Sequence, residues 1–184
     1  MGLQTCAAVF SVACALGGGP ADCQTWHFEP GVYVQETLTN NVNLVPSNLA
    51  TADLVTEITP VLHITEKGAR SSLAGSIGIQ GLVYARTGAE NNQIYPLANL
   101  LGNVEVLDKL FYVEGAVVAS QQFFNPFGAQ PINIANATSN RYSSVLYRVS
   151  PYLQGVATGG ITYLLRNNSS WANLDGTPIA TNTS

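Results

Sequence analysis

Glu57, Glu105, Glu114, Arg148 and Arg166 are the side chains of this sequence best placed to do chemistry. Each falls on the polar side of a stretch in which apolar and polar residues alternate. In "DLVTEITPVLHIT" (53–65), Leu54, Ile58, Leu62 and Ile64 share one face. Glu57, Thr59, His63 and Thr65 share the other, as the two-residue period of a strand requires. Glu105, Glu114, Arg148 and Arg166 occupy the same kind of position within 96–107, 110–122, 141–153 and 156–166. Glu114 and Arg148 come from neighbouring stretches, and a charge withdrawn from water needs a partner, so an ion pair between them is expected. Fixed charges arranged this way line a lumen, where they either plug it or tune the passage of small solutes.

Nucleophilic and metal chemistry find no support. His27 and His63 are the two histidines, and no H-x-x-x-H or H-x-H spacing joins them. No G-x-S-x-G occurs. "GSIGIQG" (75–81) has the glycines of a phosphate loop, but it lies inside an alternating stretch with no helix after it. Small residues of a closely packed, curved sheet are the better reading. No catalytic, cofactor-binding or metal-ligating residue is expected, and the chain reads as non-enzymatic.

The elements that must carry these charges are long. Of the 184 residues, 46% are hydrophobic and 10% charged, against about 25% charged in an ordinary soluble domain. The net charge is −4, and seven Lys and Arg are scattered over the chain, so nucleic acid is not an expected partner. Beyond the first 25 positions no apolar run reaches the roughly 18 residues of a spanning helix. Alternating stretches instead occupy 28–38, 53–65, 72–85, 96–107, 110–122, 141–153 and 156–166. The connections alternate in length. Residues 39–52, 86–95 and 123–140 are long, whereas 66–70, 108–109 and 154–155 are tight turns, with a polar tail from 167. Short turns at one end, long loops at the other and strands of about 9 to 11 residues or more describe a membrane β-barrel. In hydrocarbon no water can bond a free amide, so strands must pair with one another. One face then meets lipid and the other a lumen. Aromatic residues collect near both ends, Trp26, Phe28, Tyr112 and Tyr152 at the short turns, Tyr84, Tyr95, Phe123, Phe124, Tyr142 and Trp171 at the long loops, as interfacial girdles would.

The first 23 residues read as an export signal. "AAVFSVACALG" (7–17) is a short apolar core, followed by Ala21 and Cys23 at cleavage spacing before Gln24. No Lys or Arg precedes the apolar core, and a buried N-terminal helix is the competing reading. Cys6, Cys14 and Cys23 all fall in this segment, so residues 24–184 carry no Cys nucleophile and no disulfide.

"WHFEPGVYVQETLTNNVNLVPS" (26–47), "ADLVTEITP" (52–60), "FYVEGAVVASQQ" (111–122) and "YRVSPYLQG" (147–155) resemble blocks of the PEP-CTERM system-associated outer membrane proteins, β-barrels of bacteria with the exosortase sorting system. The resemblance covers most of 26–166. It implies a bacterial outer-membrane location, lipid as the surrounding partner, and association with exported PEP-CTERM proteins or extracellular polysaccharide. It also implies a longer barrel, of which this chain is an N-terminal portion. The expectation is therefore an all-β, antiparallel up-and-down meander of about seven long strands, open because incomplete. A secreted soluble β-sandwich that binds carbohydrate is the alternative.

Overall fold

The computed structural model describes residues 5–11, 25–123, 125, 127, 134–137 and 140–175. The expected cleavage region, with Cys14 and Cys23, lies outside them, as do Phe124 and the last residues of the tail. Almost everything described is strand: β1 Thr5–Ser11, β2 Thr25–Thr39, β3 Asp53–Lys67, β4 Ser71–Tyr84, β5 Gln93–Leu107, β6 Phe111–Phe123, β7 Arg141–Val156, β8 Thr162–Arg166 and β9 Ser169–Asp175. A single helical turn, α1 (Gly88–Asn91), sits in the β4–β5 loop.

The strands form one antiparallel meander in chain order from β1 to β8, and β9 pairs with β7. β8 and β9 are two halves of one crossing. Tyr152 faces Arg166 and Val149 faces Ser169, three residues further along both chains, so the register runs through Asn167 and Asn168 unbroken. The Asn167 amide donates to the Pro151 carbonyl at 3.0 Å. Counted this way the sheet has eight strands. Its edges, β1 with the uncovered part of β2 on one side and β8–β9 on the other, do not pair with each other, and the sheet is open.

The seven expected stretches are present, six of them with ends within three residues of the expected bounds and the seventh, 156–166, a strand only from Thr162, and the last hairpin differs in two ways. The turn expected at 154–155 lies instead at 157–161. Gly159 and Gly160 both take positive φ, 90° and 80°, a backbone most other residues resist. The Ala157 amide closes the turn on the Ile161 carbonyl at 2.8 Å. Gly155 stays in the strand because the Tyr163 ring occupies the place of its missing side chain. The polar tail from 167 is also a strand. "SSWANLD" has little apolar alternation, but the 16-residue β7 leaves an edge that it completes. Thr5–Ser11, within the segment read as an export signal, is a strand on the β2 edge rather than a helix.

Ladder pairing assigns the faces. Gln35, Glu57 and Leu82 lie side by side, as do Asn103, Glu114 and Ser150. This is the polar face. The other carries Val34, Ile58 and Gly81 in one row and Ile77 and Ala98 in another. The chain exposes 12639 Å², well above the roughly 8,500 Å² expected for a compact monomer of 19.4 kDa. Among the described residues no second layer packs on the apolar face, and Ile58, Ile77, Ile79, Val83, Ile94 and Val104 are all exposed.

Candidate functional site

The polar face is not uniform. It holds a polar network near the long loops, an apolar belt across its middle and an ionic cluster toward the short turns.

Near the long loops, Glu57 is 8% exposed. Its carboxylate accepts from the Gln80 side-chain amide at 2.6 Å and the Thr59 hydroxyl at 3.2 Å. Gln121 extends the chain by donating to the Gln80 carbonyl oxygen at 2.6 Å. The β5–β6 ladder ends at Ala98–Ala119, two residues short of Gln121, which stays paired with Ser143 of β7. Above this network the long loops fold over the sheet. Val42 of the β2–β3 loop and Ala135 of the β6–β7 loop pack with Val55, Leu82, Tyr84 and Tyr95. Asn136 donates to the Asn41 carbonyl at 3.0 Å, and the Ala137 amide to the Val42 carbonyl at 2.8 Å. Arg141 holds the second loop by donating to the Ile134 carbonyl at 3.0 Å, with its guanidinium 5.8 Å from the centre of the Tyr95 ring. Asp53, 1% exposed, ties the start of β3 to the β4–β5 loop. It accepts from the amides of Leu54, Arg86 and Thr87 and from the Thr87 hydroxyl. Tyr84 and Tyr95 are thus buried under loops, not displayed at an outward girdle. Tyr112 and Tyr152 lie on the polar face too, which leaves Trp26, stacked on Phe28 at 5.7 Å, as the aromatic pair of the apolar face at the short-turn end.

The belt consists of Leu101, Ala116, Val118 and Leu146, neighbours on β5, β6 and β7 that line a shallow hollow with Asn99 and Arg148. Below it lies the ionic cluster. Arg148 donates to one oxygen of Glu114 at 3.2 Å, and Arg166 sits 3.5 Å from the other. Adjacent strands place these three side chains on one face, because Arg148 and Ser150 alternate with the outward Val149. The Arg166 guanidinium covers the Tyr152 ring at 4.5 Å, and Tyr152 stacks on Tyr112 at 5.0 Å. Asn103 donates to the Tyr152 hydroxyl at 2.8 Å. Glu114 is 19% exposed and the arginines 46% and 35%. Exposed pairs of this kind contribute about 0–1 kcal/mol each, so the cluster is better placed to meet a solute than to hold the sheet together.

Of the five charges singled out in the sequence, the structure therefore joins Glu114, Arg148 and Arg166. It keeps Glu57 apart in its own network, with no cationic partner among the described residues. It gives Glu105 to the 108–110 turn, where the carboxylate accepts the Lys109 amide. Sequence reasoning missed Gln121, Ser150 and the two tyrosines as members of these clusters. The ladder alone brings Ser150 opposite Glu114. Tyr112 was legible on the Glu114 side of its strand, and Tyr152 only as an aromatic near a strand end. Among the described residues no group of three His, Cys, Asp or Glu could hold a metal ion. No protein-family model, curated protein or solved structure matches the chain.

Proposed function

We propose that this chain is part of a bacterial outer-membrane β-barrel of the PEP-CTERM-associated kind its sequence resembles. Its role is non-enzymatic, as a pore or as a component that exports or anchors surface material such as extracellular polysaccharide or PEP-CTERM proteins. The observation that carries the reading is the uncovered apolar face. Ile58, Ile77, Ile79, Val83, Ile94 and Val104 are between 40% and 76% exposed on strands of 14 or 15 residues. A strand of 13 residues, the length of β6, rises about 43 Å and at a tilt of about 45° crosses roughly 30 Å, the thickness of the hydrocarbon core. Acyl chains are the solvent such a face requires. From β2 to β8, three short and three long connections alternate between opposite ends, matching the asymmetry of outer-membrane barrels. In the bilayer both open edges need partners, since each unpaired amide there costs several kcal/mol.

A soluble sandwich would need a second sheet about 10 Å from the first. The described residues form one sheet, so no observation favours that reading. The test is electrophoretic. After extraction into mild detergent, the protein should migrate differently in unheated and boiled samples. Recovery in the aqueous fraction without detergent, with no heat shift, would refute the proposal.

A further inference from the structure

We infer that the Glu114–Arg148–Arg166 cluster is a binding site for an oxyanion, the carboxylate or phosphate group of a solute, held on the polar face toward the short-turn end. The inference concerns that face alone and does not depend on what meets the other. Three observations carry it. The cluster sets two guanidinium groups against one carboxylate. A guanidinium has five N–H donors in a planar fork suited to carboxylate and phosphate. Among the described residues Arg148 and Arg166 direct theirs at Glu114, leaving most donors without a described acceptor on groups 46% and 35% exposed.

Ser150 supplies the third observation. It stands opposite Glu114 in the ladder, between Arg148 and Tyr152 on its own strand, and is completely buried, yet its hydroxyl has no hydrogen-bond partner among the described residues. A buried hydroxyl without a partner is uncommon. Here it lies at the centre of the cluster and offers a donor of the kind an oxyanion takes. The Tyr152 hydroxyl accepts from Asn103 and keeps its own proton to donate. Glu114 then acts as an internal stand-in. It holds the two forks in place and occupies the position a ligand oxygen would take.

This assignment predicts opposite effects from neighbouring substitutions. The full chain, in detergent if it requires it, is titrated calorimetrically with inorganic phosphate and separately with glucuronate, which distinguishes a tetrahedral from a planar anion. Binding of either probe is expected, weakened about tenfold or more by Arg148→Gln and by Arg166→Gln, since each removes a charge-assisted donor. Glu114→Gln removes the competing carboxylate and should tighten binding several-fold. Arg86→Gln, in the β4–β5 loop, should leave it unchanged. Far-UV circular dichroism confirms that each variant retains its sheet. Because Glu114→Gln is expected to gain affinity, a folding defect cannot mimic its result. Absence of binding by both probes, binding insensitive to the arginines, or weaker binding by Glu114→Gln would overturn the assignment.

Discussion

Gln80 on β4 donates its side-chain amide to the Glu57 carboxylate on β3 at 2.6 Å, and both side chains are 8% exposed. The carboxylate has lost most of its water and receives two side-chain hydrogen bonds in exchange. Removing a donor is therefore costlier than neutralising the acceptor. Gln80→Leu should destabilise the sheet by about 2–3 kcal/mol, because it leaves a buried charge under-satisfied. Glu57→Gln keeps an oxygen that accepts the same bonds and should cost less than about 1.5 kcal/mol. Guanidinium unfolding midpoints of the two variants measure the difference, and equal shifts would count against the network.

Gly75 and Gly81 share the apolar face of β4 but tolerate a side chain very differently. Gly75 has φ +146°, and a Cβ there would meet the Asn99 carbonyl oxygen on β5 at 1.9 Å. Gly81 has ordinary backbone and 3.6 Å of clearance to the Ile58 carbonyl oxygen. Gly75→Ala should cost more than about 3 kcal/mol or abolish folding. Gly81→Ala should be neutral or stabilising by about 0.4–1 kcal/mol, through the entropy of the unfolded chain. Thermal unfolding of the pair decides it.

The long loops are held over the polar face by a small apolar core. Val42 is fully buried among Val55, Leu82, Tyr84, Tyr95 and Ala135. Val42→Asp puts a carboxylate into this apolar core, at a cost of several kcal/mol. Val42 enters that core from a loop while the strands are held by their own ladders, so the loops should lift and the sheet remain. Limited proteolysis is expected to cut within 40–52 and 124–140 much faster in the variant, with the far-UV circular dichroism of the strands unchanged. Cooperative loss of the whole sheet would show that the loops are integral to it.

The strands were legible because their signal is local. Ile58, Thr59 and Pro60 state the face of each residue directly, and a one-residue slip would invert every assignment. The hairpin at 157–161 was misplaced because two glycine-bearing pairs, Gln154–Gly155 and Gly159–Gly160, compete for one turn. The choice rests on Tyr163 packing over Gly155. β9 was hidden because "SSWANLD" carries no apolar period, and its strand character comes from the length of β7. Of the site, the Glu114–Arg148 neighbourhood could be read from adjacent polar positions. Arg166 joining them required the shifted register of β8. The separation of Glu57 from the arginines, and the loops that bury Tyr84 and Tyr95, depend on contacts between residues far apart in sequence.

The central claim concerns the two faces of one strand, and neighbouring residues of β4 test it. Ile77 lies on the apolar face, 40% exposed, and Ser76 on the polar one, opposite Asn99. With Cys6, Cys14 and Cys23 replaced by Ser, a spin label is attached at Ile77→Cys or Ser76→Cys, and the protein is reconstituted into bilayers. Power-saturation electron paramagnetic resonance then compares access of oxygen with that of a water-soluble nickel chelate. The label at 77 should be open to oxygen and shielded from nickel, and the label at 76 should show the lower ratio of oxygen to nickel access. Equal nickel access at both positions, or a chain that stays in the aqueous phase and never enters the bilayer, would contradict the account.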